Sequence, residues 1–357
     1  YLIRGRKQLY SPRAHGGVNR MHFNSDLMDA VIGRIFDISL DETAQALGPI
    51  RPEVLDGVCI VATGGYGRRE LSPHSDIDVT FVAAGESDPQ IEHVVKTSYR
   101  LLMDVLLNEA GLKVGYAYRE PGECHDLALD THTALLDSRR IAGSEHLFDK
   151  FIGEVRQAVV PASFVLDHIA ERASVATRWG DSPYRVEPHI KEGSGGLRDL
   201  HTARWMAQAT FAVTGDEVWK LLRAKGIVSD AELEALEAAI EFLARVRNAL
   251  HIAAGRGIDL LTVDRQDEIA SALGFRTGAP GLMSRFLPHS EHIACLYRKV
   301  GEACLDQPLE IEPGLAVLRG RIHISDKGLL RRDSEAALRI FEHSVALKLD
   351  LSWSATD

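Results

Sequence analysis

Cysteine is scarce. The four residues, Cys59, Cys124, Cys295 and Cys304, form no C-x-x-C pair and no zinc-ligand spacing, which excludes a zinc ribbon and leaves free thiols in a reducing compartment, the cytoplasm, as the expected state. A basic surplus is also lacking, because the formal net charge is −10. Proteins that grip long DNA or RNA usually need one, so a polynucleotide substrate is not expected and a small nucleotide is. No apolar run approaches the roughly 18 residues of a membrane span, no signal-peptide pattern is present, and neither internal repeats nor low-complexity segments occur. The chain opens on Tyr1 in place of methionine, so the natural protein is expected to continue upstream. What remains is an ordinary soluble composition of 45% hydrophobic and 26% charged residues in 357, enough for two or three domains.

Residues 1–25 are polar and read as an exposed arm. Leu27, Val31, Ile35 and Ile38 then recur at helical spacing, which predicts a helix over 26–47. Val58–Thr63 is an apolar run ending in Gly64-Gly65, and Asp76–Ala83 is rich in β-branched residues; both read as strands. The pattern predicts a helix over 90–110, a third strand at Lys113–Tyr118 and a fourth at Thr133–Arg139. Beyond residue 145 the chain reads as helical. One helix covers Leu197–Val213, and a long one is opened by the S-x-x-E capping box of Ser229 and Glu232. Others cover Ile269–Leu273, Leu282–Leu305 and Glu335–Lys348, with a short strand-like interruption between Leu309 and Ile324. The domains expected are an arm and helix over 1–48, a mixed α+β domain over 49–145, and a helical domain over 146–357.

The chemistry is concentrated in Gly64–Val79, GGYGRRELSPHSDIDV. A glycine pair after a strand lets backbone N–H groups approach a triphosphate without a Cβ in the way, and Ser75 can add a hydroxyl donor. Asp76 and Asp78 lie two apart on a strand, so they share a face. Side-by-side carboxylates repel unless a cation lies between them. Two Mg²⁺ ions, about 4 Å apart in such sites, meet that need. His125-Asp126 is an isolated dipeptide, read as helix surface, and His251 is read as a packed histidine.

This segment resembles the DNA polymerase β-like nucleotidyltransferase superfamily, whose pattern is a glycine pair, a spacer and D-h-[DE] on a strand. Within it, GGYGRRELSPHSDID is similar to the branch of PII uridylyltransferases (GlnD). Glu187–Asp199, EPHIKEGSGGLRD, resembles a second block of that branch, and Phe242–Gly257, Asp264-Arg265-Gln266 and Met283–His289 fit its later part, so the likeness covers roughly residues 55–350. The resemblance implies an α+β polymerase β-like domain with a mixed sheet followed by an all-helical domain. It implies a Mg²⁺-dependent transferase moving UMP from UTP to a tyrosine of the PII nitrogen-signalling protein, with pyrophosphate released. It assigns Asp76 and Asp78 to metal, and Gly64, Gly65, Ser75 and Arg68 to the triphosphate. A third carboxylate is usual. Gly115 stands about where related adenylyltransferases carry it, which leaves Asp137 as the candidate and Asp130 as the second. Lys191, beside Gly195-Gly196, either reaches the nucleotide or belongs to a tight packing turn. Members of the branch also carry an HD domain that removes UMP and ACT domains that sense glutamine; neither is expected in 1–357. The competing readings are a protein adenylyltransferase using ATP and a non-catalytic nucleotide-binding module.

Overall fold

A computed structural model describes residues 5, 9, 16–84, 88–125, 127–215, 217–326 and 328–352. The chain divides into two compact units, Tyr1–Ala158 with Ala244–Ile258, and Val159–Leu243 with Asp259–Asp357. The architecture is α+β in both.

The first unit opens with helix α1, Gly17–Leu47, then a short α2, Pro52–Asp56. Helix α1 begins nine residues before the predicted 26, because Met21 and Ser25 extend its buried stripe upstream; residues 17–25 are therefore helix and not arm. Strand β1 is Val58–Ala62, followed by the single helical turn α3, Gly64–Gly67, and strand β2, Ile77–Ala83. Helix α4, Pro89–Leu102, continues into a wider π-helical segment, Met103–Glu109, and strand β3 is Val114–Arg119. The predicted fourth strand at Thr133–Arg139 is corrected. Leu129–Leu136 is helix α5, in which the Thr133 hydroxyl bonds back to the Leu129 carbonyl, and strand β4 follows at Arg139–Gly143. The apolar Leu135-Leu136 that suggests a strand belongs to a helix burying His132, Thr133 and Leu135. Helix α6, Glu145–Gln157, completes this stretch.

The sheet order is β3-β2-β1-β4. β2 is antiparallel to β1 and parallel to β3. Both faces are covered, which is why β1 and β2 read as continuous apolar runs. On one face Val58, Ile60, Ile77, Val79 and Phe81 pack with Met28 and Ile32 of α1 and Val94 and Leu102 of α4. On the other, Cys59, Val61 and Val82 pack with Leu135, Leu147 and Phe151. Asp78 belongs to this second face by its alternation with Ile77 and Val79.

The second unit holds helix α7, Pro161–Trp179; α8, Leu197–Phe211; α9, Glu217–Ala224; the first part of α10, Asp230–Ala254; α11, Val263–Ala272; and α12, Ala279–Leu305. The capping box forms as predicted, with Ser229 N–H and Oγ donating to Glu232 Oε2 and Glu232 N–H donating to Ser229 Oγ. An all-helical C-terminal half is also corrected. Strands β5, Leu309–Glu312, β6, Leu315–Leu318, and β7, Arg321–Ile324, form a meander joined after the helices α13, Leu329–Arg332, and α14, Ala336–Leu347, by β8, Asp350–Leu351. Gly314 and Gly320, both at positive φ, make its turns.

Candidate active site

The glycine-pair segment is a tightly folded loop. Thr63 N–H donates to the Asp78 carbonyl at 3.0 Å, which ties its start to β2. Gly64 has φ +53 and Arg69 φ +63, the two left-handed residues that reverse the chain around α3. Glu70 N–H donates back to the Gly65 carbonyl at 2.8 Å. A Cβ at Gly64 would have only Ala134 Cβ near it, at 3.9 Å, and one at Gly65 only Arg68 Nη2, at 3.7 Å. The outer surface of the turn is therefore open. Ser75 Oγ is buried and has no hydrogen-bond partner, a hydroxyl available to a ligand oxygen.

Helix α1 holds this loop in place. Asn24 Nδ2 donates to the carbonyls of Leu71 and Ser72 at 3.1 and 3.2 Å. Asp29 accepts the hydroxyl of fully buried Tyr66 at 2.7 Å and both terminal nitrogens of Arg139, at 2.7 and 3.0 Å. Burial, and then the Asp29 carboxylate, push the Tyr66 phenol well above its ordinary range, so it stays a neutral donor. Asp26 pairs with Arg69. From the other segment of the unit, Gly257 lies against the His74 carbonyl, where a Cβ would come within 2.8 Å. Asn24, Asp29 and Arg139 escape a reading by local pattern, because each acts on a loop 37 or more residues away in the chain. The only trace of Asn24 is the apolar spacing through Met21 and Met28 that marks its helix.

Asp76 is exposed, one residue ahead of β2, and Asp78 is the second residue of that strand. Asp78 and Gly115 are register partners, and a Cβ on Gly115 would fall 2.3 Å from Asp78 Oδ1. The carboxylate thus leans over the bare glycine of β3. Asp137 is not on a strand. It caps the end of α5, and its carboxylate accepts from Arg68 Nη1 at 2.7 Å with the two side chains 2% and 9% exposed. Arg68 also pairs with Glu70 at 2.8 Å. Burial works against the Arg68 charge, but Glu70 and Asp137 outweigh it, and its pKa rises. Its guanidinium is occupied inside the loop. Gly67 is required there as well, since a Cβ would meet the Asp137 carbonyl at 2.0 Å. Asp130, at the start of α5, is exposed and bonds the Thr131 N–H.

A divalent cation fits this donor set. Among the described residues no group of three His, Cys, Asp or Glu is gathered for a metal; Asp76 and Asp78 offer two carboxylates. One or two carboxylates completed by substrate phosphates is a usual way to hold Mg²⁺. Asp126 of the His125-Asp126 dipeptide lies outside the described residues. His251 is buried, as expected.

Lys191 belongs to the second unit. There Glu187–Asp199 forms a packed turn into α8. Gly195 has φ +72, and its Cβ would lie 2.0 Å from the Ser290 carbonyl; one on Gly196 would meet the Ile190 carbonyl at 2.7 Å. Asp199 Oδ2 accepts the Gly195 N–H at 2.7 Å, and Oδ1 accepts from Arg172 at 2.8 Å. The protein's own carboxylate occupies the start of α8, where an anion was one of two expectations. Burial pushes the Asp199 carboxyl up, against Arg172 and that N–H. Lys191 is half-exposed and within 3.8 Å of Glu192.

Residues 163–300 match the family described as GlnD PII-uridylyltransferase. The chain is 32% identical over 98% of its length to the bifunctional uridylyltransferase/uridylyl-removing enzyme of Caulobacter vibrioides (strain NA1000 / CB15N), covering 40% of that protein. It is 32% identical over 94% of its length to the protein of the same name from Phenylobacterium zucineum (strain HLK1), covering 38%. The chain thus spans about 40% of the length of these relatives. The family match over residues 163–300 and the similarity to these relatives, which runs through the glycine-pair loop and the aspartate pair, make the chain similar to the GlnD PII-uridylyltransferases over nearly all of its length.

Proposed function

We propose that this chain is a nucleotidyltransferase of the polymerase β-like type that moves UMP from UTP to a tyrosine hydroxyl of a PII signal protein and releases pyrophosphate. The observation that carries the reading is Asp78 leaning over Gly115 at the end of an open glycine-pair turn, with Asp76 two residues before it. The names of the relatives supply the uridylyl group and the family description supplies PII.

Asp76 and Asp78 would hold Mg²⁺ together with the triphosphate. The bound metal would neutralise charge on the phosphates and make the departing pyrophosphate a better leaving group. Gly64 and Gly65 give phosphate oxygens close access to backbone N–H groups, and the Ser75 hydroxyl donates to one of them. Arg68 acts through the loop: bound to Glu70 and Asp137, it keeps the turn rigid and the glycine N–H groups aimed. The Asn24 and Asp29 contacts from α1 serve the same end. Removal of UMP, the second activity in the relatives' name, is not assigned to these residues.

The test supplies the purified chain with Mg²⁺, α-labelled UTP or ATP, and a PII protein. Label reaching PII from UTP and not from ATP supports the reading. Transfer from ATP would replace it with an adenylyltransferase, and transfer from neither would overturn it.

A further inference from the structure

β3 is the edge of its sheet, with β2 as its only ladder partner among the described residues. Its outer side is chemically prepared for another strand. The Lys113 carbonyl accepts the Ile77 N–H at 2.9 Å, so odd-numbered residues of β3 turn their backbone groups toward β2. Val114 and Tyr116 therefore turn theirs outward. Among the described residues neither backbone has a hydrogen-bond partner on that side. Tyr116 is 56% exposed. The outward Val114 carbonyl and Tyr116 N–H flank Gly115, the spacing that accepts both backbone groups of one residue on a parallel neighbouring strand.

The register decides where that residue's side chain goes. Strand partners share a face, and Gly115 shares its face with Asp78. A residue opposite Gly115 would project onto the Asp78 face. β2 lies two strand spacings from it, about 10 Å. Gly115 offers no side chain in between, and the Asp78 carboxylate already leans outward over it. A tyrosine can lean across that gap. A serine is too short.

From this juxtaposition we infer that the acceptor protein docks by adding an extended segment to the β3 edge, with its target tyrosine opposite Gly115. The inference rests on the proposed transfer to a protein hydroxyl and specifies how that substrate is presented. Backbone pairing supplies the register, and the bare glycine makes the passage to the reacting phosphate. Main-chain pairing to an open edge is a general way for a protein to take an extended peptide.

Tyr116→Pro tests it. Proline removes the outward N–H and leaves the β2 ladder alone, a substitution that edge strands tolerate. Tyr116→Ala removes the same ring but keeps the N–H, so the pair isolates the backbone group. The KM for PII in Tyr116→Pro should exceed that in Tyr116→Ala by about tenfold or more, with kcat changed much less. Equal KM values would overturn the docking mode while leaving the transferase reading intact. A wild-type chain that labels PII from neither nucleotide would instead remove the transferase reading, and the docking mode with it. Amide exchange on the wild-type chain does not depend on the variants folding. The Tyr116 N–H should gain protection when PII is added. Protection that is absent with PII bound, or that is present without PII and grows with chain concentration, would overturn the inference, the latter by assigning the edge to a second copy.

Discussion

Asp78 and Gly115 face each other across the β2–β3 ladder so closely that a single methyl group at 115 would stand 2.3 Å from Asp78 Oδ1. Position 115 is a glycine that makes room for the acid of the neighbouring strand. The substitution Gly115→Ala should therefore displace the Asp78 carboxylate. Transfer should fall by about 100-fold, the usual cost of a misplacement near 1 Å, with a thermal midpoint close to wild type. Initial rates at saturating nucleotide check this, and full activity would contradict it.

Arg68 distinguishes a structural ion pair from a phosphate ligand. Replacing it with Met leaves the Asp137 carboxylate, 2% exposed, without its counter-charge. The expected loss is about 3–5 kcal/mol of stability, read from urea denaturation. A variant as stable as wild type but with a raised KM for nucleotide would show that the guanidinium serves the phosphates instead.

Gly195→Ala asks what the second glycine-rich block is for. The position combines φ +72 with a carbonyl 2.0 Å from the new Cβ. Strain and overlap together should cost about 2 kcal/mol or more. The measurement is the unfolding midpoint. A neutral substitution would remove the packing role assigned to this turn.

The capping box carries a pH signature. Lys299, and then the Ser229 N–H and hydroxyl, hold the Glu232 carboxyl at about 2, below its ordinary 4.5. A carboxyl lowered on folding contributes stability that is complete above its unfolded value and is lost as pH falls through the folded one. The window is thus 4.5 down to 2. Because the group is partly exposed, the contribution is about 0.5–1 kcal/mol. Glu232→Gln should be less stable than wild type at pH 6, with the gap closing toward pH 2.5. A constant gap in urea titrations at the two pH values would contradict it.

What could be read from the sequence was local. The strand, glycine pair, spacer and D-x-D of residues 58–83 lie within one continuous stretch, and the capping box spans four residues, so pattern suffices for both. Gly115 was legible as a missing acid but not as a partner of Asp78, since that depends on parallel register between residues 37 apart in the chain, 78 and 115. Arg68 and Asp137 were both visible as candidates, yet only the fold pairs them with each other. Thr133–Arg139 misled because two leucines before an acid fit a strand edge as well as a helix end. Gly195 was ambiguous because the atom that excludes its Cβ, the Ser290 carbonyl, is on another helix.

The most direct measurement compares the chain with its Asp76→Asn and Asp78→Asn variants for transfer of label from α-labelled UTP to PII in the presence of Mg²⁺. The account predicts labelled PII with the unaltered chain, none above background with either variant, and thermal midpoints alike for all three. A double variant that still labels PII would contradict the assignment of the aspartate pair, and with it the account of this site.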